Sequence, residues 1–242
     1  GKDFISDFPE QIDVLRYVLC AISPENKDSD FSWKDYQARN NNELGAIFGN
    51  FVNRTLVLTK KYYNGIVPNR TKLETIDLEV LKQLSEIPNK VNDYILSFKF
   101  RDAQSEAMKL ARVGNKYLAD TEPWKAIKSN PERVKTILNI SLQITANLAV
   151  IFEPFMPHKS NALAEMLNIK LPKWNDAGKD DLITVNHTIN QPNILFSKIE
   201  DQVIEDQINK LKSANQKQIK FPPMKDEICL LYTSDAADDR VS

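Results

Sequence analysis

Cysteine and histidine are scarce in this chain, with two of each among 242 residues. Cys20 lies in the apolar run VLRYVLCAI, where it is expected to pack as a small buried side chain, and Cys229 lies near the C-terminal end. Neither has a C-x-x-C partner or a neighbouring His, so neither a disulfide nor a metal site is expected. His158 falls beside a predicted helix start and His187 in a connector. With no acid or Cys at ligand spacing, both are expected to be structural. The six glycines form no phosphate-cradling loop, and no helix carries a paired-carboxylate arrangement. No apolar run is judged long enough to cross a membrane, and neither a starting Met nor a signal peptide is present. The chain therefore reads as cytoplasmic, as having no membrane partner, and as a piece of a longer protein. An excess of one charge is lacking too: 32 Lys and Arg oppose 33 Asp and Glu, and a net charge of −1 gives no global sign of nucleic-acid binding.

What is present is helical patterning on a 42% hydrophobic composition, ample for one sizeable core. Asp7 and Pro9 open a predicted helix through Ile22, with Leu15, Val18 and Leu19 on one side. Ser32, with Asp35 three residues on, resembles a capping box and starts a helix expected to run to about Tyr63. Asp77 begins another periodic segment, and Pro88 either kinks it or starts the next helix. A helix is expected from Phe100 to Leu118, with Ala103, Ala107, Leu110 and Ala111 allowing close packing. Asn130-Pro131 then starts the most apolar segment, predicted to be the central bundle helix. HKSNALAEMLNI follows as a short helix. Residues 169–197 read as a packed connector with a short strand at Leu182 to Val185, and Ile199 to about Lys212 as a last helix.

Two stretches carry chemistry. In NNNELGAIFGNFVNR, the apolar residues Leu44, Ile47, Phe48, Phe51 and Val52 recur at helical spacing, and Asn50 and Arg54 sit four apart on the adjoining strip. An amide and a guanidinium fork offer several fixed donors, which suit the acceptor edge of an unpaired base. The same pair also fits a solvated helix edge with no role. In NKYLADTEPW, Pro123 can start a new helix and hold Trp124 at its entrance, where an indole can stack on a splayed base; a core tryptophan fits the pattern too. Between Lys99 and Lys135, nine Lys or Arg oppose five acids, an excess that either steers phosphates or makes a mixed solvated face.

Together these stretches resemble the anticodon-binding bundle of methionyl-tRNA synthetase, a class I aminoacyl-tRNA synthetase. The resemblance runs from about Phe8 to Ile219 through DVLRYVL, FSWKDYQARNNNEL leading into GNFVNR, the N-K-Y then P-W unit, and FEPFMPHKSNALAEML. It implies an all-α helical bundle in which Asn50, Arg54 and Trp124 contact the first cytosine of a CAU anticodon, with Pro123 setting the ring's position. Some family members carry a second Asn where this chain has Ala46. The implied partner is methionine tRNA. No catalytic residue, metal or cofactor is implied for this chain, since neither a His-Ile-Gly-His-like nor a Lys-Met-Ser-Lys-Ser-like motif occurs. ATP with Mg, and zinc, would belong to a catalytic domain of the parent ligase. The parent could form a homodimer through an appended C-terminal OB-fold. Anticodon-binding domains of other class I synthetases, for cysteine or branched aliphatic amino acids, and a non-enzymatic helical interaction module remain alternatives.

The expected divisions are a connecting segment at 1–30, the bundle at 31–168, a packed connector and C-terminal helix at 169–219, and a linker at 220–228. Residues 229–242 are expected to be non-native, because CLLYTS is the translation of TGT CTC TTA TAC ACA TCT, which resembles a transposon adapter used in sequencing libraries.

Overall fold

Prolines and short polar side chains set the starts of five of the helices. The computed structural model describes residues 2–24 and 30–218. It divides into one unit over Gly1–Glu200 and another over Asp201–Ser242. Within the first, α1 is Lys2–Asp7, α2 Ile12–Ala21, α3 Trp33–Ala38, α4 Asn50–Tyr63, α5 Thr75–Leu96, α6 Phe100–Thr121, α7 Pro123–Ser129, α8 Pro131–Phe152 and α9 Pro157–Met166. Pro123, Pro131 and Pro157 each occupy a first helical turn, where a missing N–H costs nothing. Ser32 Oγ accepts from the Asp35 N–H at 3.0 Å, Asn130 Oδ1 from the Arg133 N–H at 3.1 Å, and Asp77 Oδ2 from the Glu74 N–H at 2.8 Å.

Several expected boundaries move. In place of one helix from Asp7 to Ile22, the chain forms α1 and α2 with Pro9 in the turn between them. The buried face of α2 is Val14, Tyr17, Val18 and Ala21, whereas Leu19 is 49% exposed. Cys20 is half-buried rather than fully buried, and Cys229 lies outside the described residues. Of the two roles expected for Pro88, starting a new helix is not found, because α5 runs through it. Between α3 and α4, residues Arg39–Gly49 wind as a π-helix, so the expected Ser32-to-Tyr63 helix is continuous but changes register midway.

The core is built around α8. By length and composition this helix could cross a membrane, with a mean hydropathy of 1.4, which corrects the expectation that no segment is long and apolar enough. It does not face outward: 94% of that window is buried inside the fold. Its buried polar residues Asn139, Gln143 and Asn147 lie four apart and hold the connectors. Asn139 Nδ2 donates to the Pro68 carbonyl at 2.7 Å. Gln143 takes both backbone groups of Ile183, donating to its carbonyl at 2.7 Å and accepting from its N–H at 3.0 Å. Asn147 donates to the Lys179 carbonyl at 2.8 Å and accepts from the Gly178 N–H at 2.6 Å.

This explains why the expected strand at Leu182 to Val185 is absent. The backbone of Ile183 is satisfied by one side-chain amide, so no strand ladder is needed there. Among the described residues, the sole β pairing outside a named strand is the antiparallel bridge Ile66–Thr188. In the second unit, α10 spans Asp201–Gln218, and Gln202 donates to Asp206 at 3.0 Å across one turn. The linker 220–228 and the tail 229–242 lie outside the described residues.

Candidate functional site

The N-terminus of α4 follows directly on the π-helical stretch. The Asn50 N–H donates to the carbonyls of Gly45 and Ile47, so the five-residue register persists up to the first residue of α4. Asn50 and Arg54 both lie inside α4, and their spacing of four puts them on one strip, as the sequence pattern requires. Asn50 is exposed and Arg54 half-buried.

Trp124 comes from the far side of the chain. At Glu122 the backbone is left-handed (φ 40°), which ends α6 and turns the chain straight into α7. Pro123 is buried at the first position of α7, and Trp124, next in line, is half-buried. The guanidinium carbon of Arg54 stands 4.8 Å from the centroid of the Trp124 ring, a cation–π contact. The structure therefore brings Arg54 of α4 onto Trp124 of α7, the residue after Pro123. Among the described residues Arg54 has no ion pair and no hydrogen bond, so its donors are uncommitted.

Asn50 is joined instead to Asn115 of α6, whose part the sequence pattern did not disclose. Asn50 Nδ2 lies 3.4 Å from Asn115 Oδ1. Asn115 Nδ2 donates to the Ile47 carbonyl at 2.8 Å and the Ala111 carbonyl at 3.1 Å. α6 can come this close because residue 114 is glycine: a Cβ there would fall 2.4 Å from the Phe51 ring. Ala46 is exposed and lines a groove of about 420 Å³ with Gly49, Asn50, Asn53 and Ile194.

The ends of α5, α6 and α8 are locked together. Arg133 donates twice to the carboxylate of Asp77, at 2.6 and 2.7 Å, and Tyr117 donates to the same carboxylate at 2.6 Å. Arg133 also pairs with Glu74 at 3.3 Å. Burial alone would push the Asp77 carboxyl up. The hydrogen bonds from Arg133, the Glu74 N–H and Tyr117, with the charge of Arg133, hold it below its ordinary value instead. Burial, reinforced by the carboxylate it donates to, drives the Tyr117 phenol far above its usual range.

The basic excess between Lys99 and Lys135 is weaker than the count implies. Lys109, Lys116, Lys125, Arg133 and Lys135 each pair with an acid. His158 is exposed, and His187 Nε2 lies 2.8 Å from the Leu167 carbonyl. Among the described residues no group of three or more His, Cys, Asp or Glu is placed to hold a metal.

The helical fold is shared with part of solved aminoacyl-tRNA synthetases. Apo methionyl-tRNA synthetase of Mycobacterium tuberculosis matches it with a TM-score of 0.71 at 21% identity, over 78% of this chain and 39% of that one. The same enzyme in complex with methionyl-adenylate gives 0.70 at 22% identity, over 76% and 37%. The chain belongs to the methionyl-tRNA ligase family: residues 67–216 match the model for the anticodon binding domain of methionyl tRNA ligase, and residues 1–56 the model for class I (M) tRNA synthetases. Methionine–tRNA ligase of Bacteroides fragilis is 56% identical over 217 residues, covering 88% of this chain and 32% of that protein. The Parabacteroides distasonis enzyme is 52% identical over 231 residues, covering 94% and 34%. The chain thus spans about a third of the length of the curated relatives it matches.

Proposed function

We propose that this chain is the part of a methionine–tRNA ligase that reads the anticodon of methionine tRNA, with the first cytosine of CAU bound by Trp124, Arg54 and Asn50. The observation that carries this reading is the seating of Arg54 on the Trp124 ring with its donors uncommitted. A stacking surface and a fork of donors then meet a single base from two sides, which is how unpaired bases are held and distinguished. Pro123 fixes where the ring starts. The alternative of a helical interaction module is favoured by a fully buried Trp124 with Asn50 and Arg54 on different surfaces; a half-buried Trp124 and a spacing of four within α4 support the anticodon reading instead.

The attachment of methionine with ATP and Mg is placed, on this reading, in the remainder of the longer relatives. The residues described here offer neither a nucleotide loop nor a metal cluster to host those groups. Zinc belongs to that same remainder, dimerisation to an appended OB-fold, and the setting is cytoplasmic.

The test compares binding of a CAU anticodon stem-loop with one whose first anticodon base is uracil, at fixed salt. The chain is expected to prefer CAU. Trp124→Ala should weaken CAU binding by about 1–3 kcal/mol, the worth of one base–aromatic stack, or roughly fivefold to a hundredfold. Arg54→Lys keeps the charge and loses the planar fork, so the preference for cytosine should fall more than the affinity. Equal binding of both loops by the folded chain overturns the assignment.

A further inference from the structure

We propose that Asn115 is a positioning residue that fixes which way the Asn50 amide faces, and thereby which base edge the site accepts. The inference rests on the reading of Asn50 given above. A side-chain amide carries two N–H donors at one end and an acceptor oxygen at the other. Both donors of Asn115 are spent, one on the Ile47 carbonyl at 2.8 Å and one on the Ala111 carbonyl at 3.1 Å. Its oxygen is therefore the atom turned toward Asn50, and Asn50 meets it with Nδ2 at 3.4 Å. Reversing the Asn50 amide would set oxygen against oxygen.

The anchor for Asn115 is built into the backbone. In the π-helical register the Asn50 N–H reaches Gly45 and Ile47, and the Ile47 carbonyl takes a second donor from Asn115. Gly114 lets α6 press against Phe51, so that the next residue, Asn115, lies within reach of Asn50. Four groups on two helices thus settle the orientation of one exposed amide before any ligand arrives.

With one N–H held by Asn115, Asn50 offers its oxygen and its second N–H outward. An outward oxygen accepts a hydrogen bond from the exocyclic amine of cytosine; the carbonyl oxygen that uracil carries at that place would be repelled. Arg54, one turn along the same strip, supplies donors only and suits the ring nitrogen and carbonyl of cytosine. Selection of cytosine over uracil follows from the direction of the Asn50 amide, and Asn115 sets that direction.

Asn115→Ala tests this with the two stem-loops at fixed salt. The cytosine-to-uracil affinity ratio should drop by roughly fivefold to a hundredfold, the worth of one specific base-edge contact. Loss of equal affinity for both loops, with the ratio intact, is what a merely structural Asn115 would give, and it overturns the proposal. A second variant supplies the rescue. Asn50→Asp presents an acceptor whichever way it turns, so Asn115→Ala with Asn50→Asp should recover the preference for cytosine, although its added charge weakens both loops. Failure of that rescue also counts against the proposal. If Asn115→Ala does not fold, nuclear Overhauser contacts in the unmodified chain decide: Asn50 Nδ2 protons close to the Asn115 side chain support the lock, and their absence overturns it. An unmodified chain with no preference between the loops overturns the reading of the site itself, whereas an intact preference insensitive to Asn115 overturns only the lock.

Discussion

Arg54 and Arg133 carry the same charge and serve opposite ends. Arg133, with 10% of its side chain exposed, is spent on Asp77 and Glu74, while Arg54 keeps its donors and leans on an indole. Sequence spacing discloses Arg54 because Asn50 lies four residues before it on the same helix. It does not disclose Arg133, whose carboxylate partner lies 56 residues away, nor Asn115, whose partners are backbone carbonyls on another element and on its own helix. Asp77 is fully buried, and removing its charge should be costly. Asp77→Asn is expected to lower stability at pH 7 by about 3–5 kcal/mol, the usual effect of breaking a buried pair. The folded-state pKa of Asp77 is depressed, so its contribution is present above the ordinary carboxylate value of about 4 and is lost as pH falls through the lowered one. Thermal melts from pH 7 down to pH 2 should show a steeper acid loss in the original chain than in Asp77→Asn. Parallel curves would refute this.

Among the elements, helices were legible and their joints less so. Pro123, Pro131, Pro157 and Asn130 announce helix starts through chemistry confined to one turn. The expected strand at Leu182 to Val185 failed because its hydrogen-bond partner is a side chain from α8, a tertiary fact that no local pattern holds. The change to π register was equally hidden, since the apolar positions from Leu44 to Val52 suit either winding. The polar stripe of α8 yields a prediction at this scale. Gln143→Leu fits the apolar helix but orphans the N–H and carbonyl of Ile183, itself 2% exposed. A loss of about 1–3 kcal/mol for each orphaned group is expected in chemical denaturation. A variant as stable as the original would show that the connector finds other partners.

For the molecule as a whole, the resemblance visible in separated sequence blocks and the family match point the same way, and the chain spans about a third of the length of those relatives. The chain carries neither class I nucleotide motif, so it should not exchange pyrophosphate into ATP in a methionine-dependent manner; exchange above background would contradict this. The winding of residues Arg39–Gly49 has a further consequence. An α-helix has a rigid count of residues per turn, and losing one rotates everything beyond it by about a quarter-turn or more. A π-helical stretch holds surplus residues, and closing one wide turn to ordinary pitch can absorb a shortening of the chain. The strip that bears Asn50 and Arg54 is thereby buffered against loss of a residue upstream, a tolerance that a uniform helix from Trp33 to Tyr63 would lack.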